Sequence, residues 1–172
     1  MKIKAFVFSI LLGSFITGSF AQEFNATIRD SKSDSEILYG FCNREGLTME
    51  PFNAWYESEY ESYHVDEVNL LEMNHDMLSL SNLTIVLGTW CSDSQREVPR
   101  MLKILDYLNY PEDNLELICV DRAKDAENTE VSELQIDLVP TFIFYLEGDE
   151  LGRIIETPNE SLEIDLTEIF SL

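Results

Sequence analysis

The sequence predicts an α/β chain, with a central mixed sheet flanked by helices and a helical extension in front. Three observations carry that reading. Leu83-Thr84-Ile85-Val86-Leu87 is a short, apolar, β-branched run that stops at Gly88, the pattern of a buried strand. A helix-period pattern follows, with Val98, Met101, Leu102, Leu105 and Leu108 on one side. Residues 115–121 then make a second apolar run, so the order is strand, helix, strand, a parallel crossover. Further on, residues 141–146 and 151–155 are strand-like and are separated by Glu147-Gly148-Asp149-Glu150, which reads as a hairpin.

Taken from its start, the chain opens Met1-Lys2-Ile3-Lys4, continues as an apolar stretch over residues 5–20, and places Ser19-Phe20-Ala21 before Gln22. A basic start, a short apolar centre and small residues at the third and first positions before a cut are the pattern of a secretory signal peptide over residues 1–21. Ser9, Gly13, Ser14, Thr17, Gly18 and Ser19 interrupt the run, which argues against a membrane anchor. The mature protein is expected to be periplasmic or secreted, with no membrane attachment once the signal is removed. The whole chain has 33 acidic and 11 basic residues, a net charge of −22, and losing Lys2 and Lys4 makes the balance more negative. Such a surface excludes nucleic acid and anionic membrane as expected partners. It suits a solvated exported protein, or one that prefers basic clients.

Residues 22–31 are polar without a period and read as a flexible leader. From Asp34 the spacing predicts a helix with Ile37, Leu38, Phe41 and Cys42 on one face, capped by Ser33 or Asp34. Glu50-Pro51 marks a second helix start, since proline suits the first helical position. Trp55, Tyr56, Tyr60 and Tyr63 follow at helical spacing, an aromatic stripe that reads as a packing face. Residues 66–77 predict a third helix through Val68, Leu71 and His75. Residues 22–80 thus form the extension and residues 81–172 the main domain. Within the latter, Pro99 falls inside the helix that follows the first strand, residues 111–114 make a turn, and residues 122–137 are charged and irregular, with weak helical character at 129–135. A final helix over 161–170 has Leu162, Leu166 and Ile169 on its apolar face, joined by Ile164 or Asp165. His64 and His75 lack a second ligand at metal-site spacing, so no metal is expected.

The chemistry gathers at Trp90-Cys91-Ser92-Asp93-Ser94, where the first strand gives way to its helix. Unpaired backbone N–H groups and the helix dipole favour a thiolate at such a position, and a thiolate is the form that attacks disulfides. Asp93 opposes this charge, and Arg96, a turn further on, can offset Asp93. The chain has three cysteines, an odd number, so at least one lies outside any intramolecular disulfide. Cys119 sits in the second apolar run and reads as a core residue. Cys42 is open: it pairs with Cys119, resolves a disulfide on Cys91, or simply packs.

Trp90-Cys91-x-x-Ser94, Pro99 eight residues beyond the cysteine, and Val139-Pro140-Thr141 before an apolar strand together resemble thioredoxin-fold proteins, of an exported bacterial type. The resemblance runs from about residue 83 to the C-terminus. It implies a cis Val139–Pro140 bond beside Cys91, Val139 as backbone that pairs with an extended client, Trp90 as a shield for the sulfur, and Thr141 as an adjacent structural residue. The family's second redox cysteine is replaced by Ser94, whose hydroxyl can hydrogen-bond a thiolate but cannot displace a disulfide. Ile85 stands where the family carries a buried acid that helps deprotonate that second thiol. The expected function is therefore monothiol: mixed disulfides through Cys91 with client proteins bearing thiols or disulfides, released by glutathione or another small thiol, in isomerisation or glutathione-adduct handling, with no cofactor. Two alternatives stand beside it. One is a non-catalytic binding module for an exported partner; the other is a dithiol cycle with Cys42 as resolving thiol.

Overall fold

The structure is a computed structural model and describes residues 24–171; the expected signal peptide, residues 1–21, lies outside them. The chain runs β1 (Thr27–Arg29), β2 (Glu36–Leu38), β3 (Gly40–Cys42), α1 (Arg44–Leu47), α2 (Asn53–Ser62), α3 (His75–Leu80), β4 (Asn82–Leu87), α4 (Ser92–Tyr107), β5 (Leu115–Cys119), β6 (Thr141–Leu146), β7 (Asp149–Ile155) and α5 (Leu162–Ile169). Two short 3-10 turns, Glu112–Asn114 and Val131–Glu133, punctuate the loops.

The central sheet has five strands in the order β3-β5-β4-β6-β7. The β4 and β5 strands are parallel, with Ile85 opposite Leu117, as the crossover through α4 requires. The other neighbours are antiparallel. Side chains alternate across the central strand: Leu83, Ile85 and Leu87 join a large core, while Val86 joins a smaller cluster with Ile118 and Val120. The large core takes Val98, Met101, Leu102 and Leu105 from α4 and Leu162, Leu166 and Phe170 from the C-terminal end. Each of these aliphatic side chains contributes about 1.5–3 kcal/mol through burial. Phe170 meets Phe144 edge-on, with centroids 5.2 Å apart. The smaller cluster is covered by Ala126, Val131 and Val139 from the long irregular segment.

The aromatic stripe of α2 is a packing face. Tyr56 is buried, and Trp55, Tyr60 and Tyr63 lean on the large core. Polar links fasten the same helix to the main domain. Arg100 pairs with Glu59 at 2.8 Å, the Tyr60 hydroxyl donates to Asp106, and the Tyr63 hydroxyl donates to both oxygens of Glu163 at 2.9 and 3.0 Å.

The N-terminal region differs from the sequence expectation in four places. The leader is partly ordered: β1 pairs with β2, with Ile28 opposite Ile37. Residues 34–42 are strands rather than a helix. Gly40 has a φ of +84°, which no helix accommodates, and Leu38, Gly40 and Cys42 are buried at a spacing of two. The third expected helix is instead a series of turns followed by α3. The Asp66 carboxylate accepts from the N–H groups of Val68 and Asn69, and Asn74 caps α3 by accepting from Met77. Such side-chain bonds compete with helix formation. As a result Leu70 and Met73 are buried, while Val68 and Leu71 are exposed. The second helix starts at Asn53, two residues beyond Pro51.

Candidate functional site

The β4 strand ends at Leu87, and Gly88-Thr89-Trp90 carries the chain to α4. Gly88 is required here by space: a Cβ on it would come within 2.7 Å of the Trp90 indole. Cys91 is the N-cap residue of α4, with extended backbone and no capping bond from its side chain. The sulfur is therefore free to face away from the helix. It donates to the Val139 carbonyl at 3.2 Å. Val139 precedes Pro140 through a cis peptide bond at the start of β6, and the Thr141 hydroxyl donates to the Leu138 carbonyl at 2.7 Å. Trp90, Cys91, Val139, Pro140 and Thr141 thus meet at one edge of the sheet. Cys91 is partly exposed, whereas Val139 and Thr141 are buried.

Ser94 is fully buried and turned inward, where its Oγ accepts from the Gly88 N–H at 3.2 Å. The sequence suggested a hydroxyl aimed at the Cys91 sulfur. One turn into the helix, that side chain points back at the end of β4 instead, and the sulfur finds the Val139 carbonyl. Asp93 is paired with Arg96 at 2.8 Å, and the same guanidinium holds Glu97 at 2.6 Å, so one cation is shared between two carboxylates.

Two further residues build the site, neither of them singled out from the sequence. The Arg122 guanidinium lies 4.7 Å from the Trp90 ring centroid, while the indole N–H donates to the Val120 carbonyl at 2.8 Å. Asp30, at the end of β1, grips Arg122 with both carboxylate oxygens at 2.8–3.0 Å. Arg122, with help from Ser33, holds the Asp30 carboxyl well below the usual carboxylate range. The guanidinium is raised above its ordinary value, chiefly by its bond to Asp30. Arg122 directly follows the second apolar run, so its place at the carboxyl edge of the sheet could have been read from the sequence. Asp30, 92 residues away, left no such signal. The β1–β2 ribbon is also tied in through Thr89, whose hydroxyl accepts from the Leu38 N–H.

A cleft of about 360 Å³ lies between α2 and the first turns of α4, lined by Trp55, Ser58 and Glu59 of α2 and by Ser92, Gln95 and Arg96 of α4, and Cys91 is not among its lining residues. A larger one, about 470 Å³, lies at the opposite ends of β4 and β5 and does not touch Cys91. Cys42 is not at the site. Its sulfur lies 2.8 Å from that of Cys119, within the large core, whereas Cys91 packs against the smaller cluster on the other face.

A five-stranded mixed sheet in this order, with a cysteine capping the first crossover helix and facing the residue before β6, is a thioredoxin-like fold. No protein-family model and no curated protein matches the chain. Among solved structures it is similar to a protein of unknown function from Pseudomonas aeruginosa, with 21% identity and a TM-score of 0.41 over 64% of this chain and 64% of that one. The match thus spans less than two thirds of that protein's length. It is also similar to thioredoxin O2 from Arabidopsis thaliana in its oxidised state, with 18% identity and a TM-score of 0.33 over 52% of this chain and 72% of that one. Oxidised mitochondrial thioredoxin 3 from Saccharomyces cerevisiae matches at 19% identity and a TM-score of 0.34, over 56% and 86%.

Proposed function

We propose that this chain is an exported monothiol thioredoxin-like protein that forms mixed disulfides through Cys91. The observation that carries the reading is the Cys91 sulfur at the start of α4, partly exposed and 3.2 Å from the Val139 carbonyl. In the proposed step the Cys91 thiolate attacks one sulfur of a client disulfide. A bond from Cys91 to that sulfur forms, the client S–S bond breaks, and the other client sulfur leaves as a thiolate. Ser94 has no thiol with which to reverse the capture. Release then comes from outside the pair. Either glutathione or a similar small thiol reduces the adduct, or another thiolate of the client attacks it, which returns a rearranged client disulfide and frees Cys91. Clients are exported proteins bearing thiols or disulfides, met in the periplasm or after secretion, with Trp90, Val139 and Pro140 lining their path.

The test is to quench cells with an alkylating agent and compare adducts on non-reducing gels for the wild type, Cys91→Ala and Cys42→Ala. Adducts that vanish on reduction are expected for the wild type and Cys42→Ala, and none for Cys91→Ala. A wild type without such adducts, or a Cys91→Ala variant that keeps them, defeats the reading.

A further inference from the structure

Two of the three cysteines take no part in this chemistry. Cys42 is on the edge strand β3 and Cys119 on β5, where Cys42 lies opposite Leu117 and Gly40 opposite Cys119. Both side chains project from the same face of the antiparallel pair, diagonal to each other. Their sulfurs are 2.8 Å apart, and a disulfide bond is about 2.05 Å long, so closure needs less than about 1 Å of movement. Cys42 is buried, with 3% of its surface exposed, but it also lines the larger cleft together with Phe41, Asn82 and Glu116, the nearest solvent-filled space to the pair. The β3 strand has only three residues and one neighbouring strand.

We propose that Cys42 and Cys119 form a disulfide that fastens β3 to β5 and leaves Cys91 as the chain's single free thiol. The oxidant is a small disulfide such as oxidised glutathione. Cys42, at the cleft, attacks it first, forming a mixed disulfide and releasing one small thiolate. Cys119 then attacks the Cys42 sulfur and expels the second. Two cysteine thiols are oxidised, one disulfide is reduced to two small thiols, and the two cysteine protons pass to those products. Burial pushes the Cys119 thiol up, with Cys42 adding to the effect. The two sulfurs are 77 residues apart in the chain, so the bond closes a long loop and restricts the unfolded chain. The separation onto two faces of the sheet keeps the pair from exchanging with Cys91.

The test uses the full chain carrying Cys91→Ser, so that the pair holds the only thiols. The reduced protein is incubated with oxidised glutathione, then denatured for thiol titration, intact mass and peptide mapping. The expected result is loss of both thiols, a mass lower by two hydrogens with no glutathione retained, and a linked peptide containing Cys42 and Cys119. The thermal midpoint of the oxidised form should exceed that of the reduced form by about 5–15 °C. Thiols that still titrate, retained glutathione, or a wild-type bond that joins Cys91 to either partner overturns the proposal. A bond that leaves the midpoint unchanged overturns the fastening role.

Discussion

Replacing Ser94 with cysteine gives Cys91 the partner it lacks, and the geometry sets the size of the effect. Ser94 is buried and its hydroxyl accepts the Gly88 N–H at 3.2 Å. Losing that bond costs about 1 kcal/mol, small beside the roughly 5–15 kcal/mol that holds a domain folded. Residues three apart on a helix have Cβ atoms about 5–6 Å apart, and a disulfide needs about 3.5–4.5 Å, so a small adjustment at the start of α4 brings the two sulfurs together. A well-oriented intramolecular thiol acts at effective concentrations up to about 10⁵–10⁸ M; taking only about 1 M for this less favourable geometry, against about 1 mM of external thiol, release is about 10³-fold faster. An aromatic disulfide that liberates a coloured thiol reads both steps. The wild type should liberate one equivalent from Cys91 and then hold its adduct until an external thiol is added. Ser94→Cys should liberate the second equivalent unaided. A wild-type adduct that discharges by itself would show an internal resolving thiol. A variant that never discharges would show that the helix start cannot bring the two sulfurs together, and either result refutes the reasoning.

Two other outcomes test the scaffold. Because the Asp30 carboxyl titrates below its ordinary 3.8, its contribution to stability is fully present above about pH 4 and is lost as pH falls below that value. Asp30→Asn should therefore be less stable than the wild type at neutral pH, and the gap between the two thermal midpoints should begin to narrow below about pH 4 and go on narrowing as the pH falls; a gap of the same size at about pH 6 and about pH 2 contradicts the pairing. Tyr63→Phe removes the hydroxyl that donates to Glu163, a carboxylate otherwise held by the Asp66 N–H at 3.0 Å. The cost should be about 1–3 kcal/mol in urea unfolding, with α2 amides exchanging faster, and a loss under about 0.5 kcal/mol would mean that the Tyr63–Glu163 bond does not help to hold α2.

The main elements were legible because their patterns are local. The apolar run Leu83-Thr84-Ile85-Val86-Leu87, the helical spacing from Val98 to Leu105, and the glycine turn between β6 and β7 each show within a dozen residues. The short N-terminal strands were not legible. Three residues are too few to reveal a period, and Ile37, Leu38, Phe41 and Cys42 satisfy a helical template as well as an extended one. The choice was made by Gly40, whose positive φ excludes a helix, and by β5, whose free edge accepts Cys42 opposite Leu117. Leu70 and Met73 were passed over for Val68 and Leu71 for a similar reason: carboxylate and amide side chains at Asp66 and Asn74 took the backbone bonds that a helix needed.

By itself the sequence determined that a strand ends at Gly88 and that a helix begins just after Cys91, which follow from apolar spacing within a short span; that Ser94 stands where a second thiol would be needed is what the resemblance to thioredoxin-fold proteins implies. Only the tertiary structure decided what surrounds the sulfur and where the other two cysteines lie. The Asp30–Arg122 pair over Trp90, the Val139 carbonyl against Cys91, and the approach of Cys42 to Cys119 each join residues 48 to 92 positions apart. Such contacts arise from sheet order and strand register, which bring together groups that no local pattern can connect.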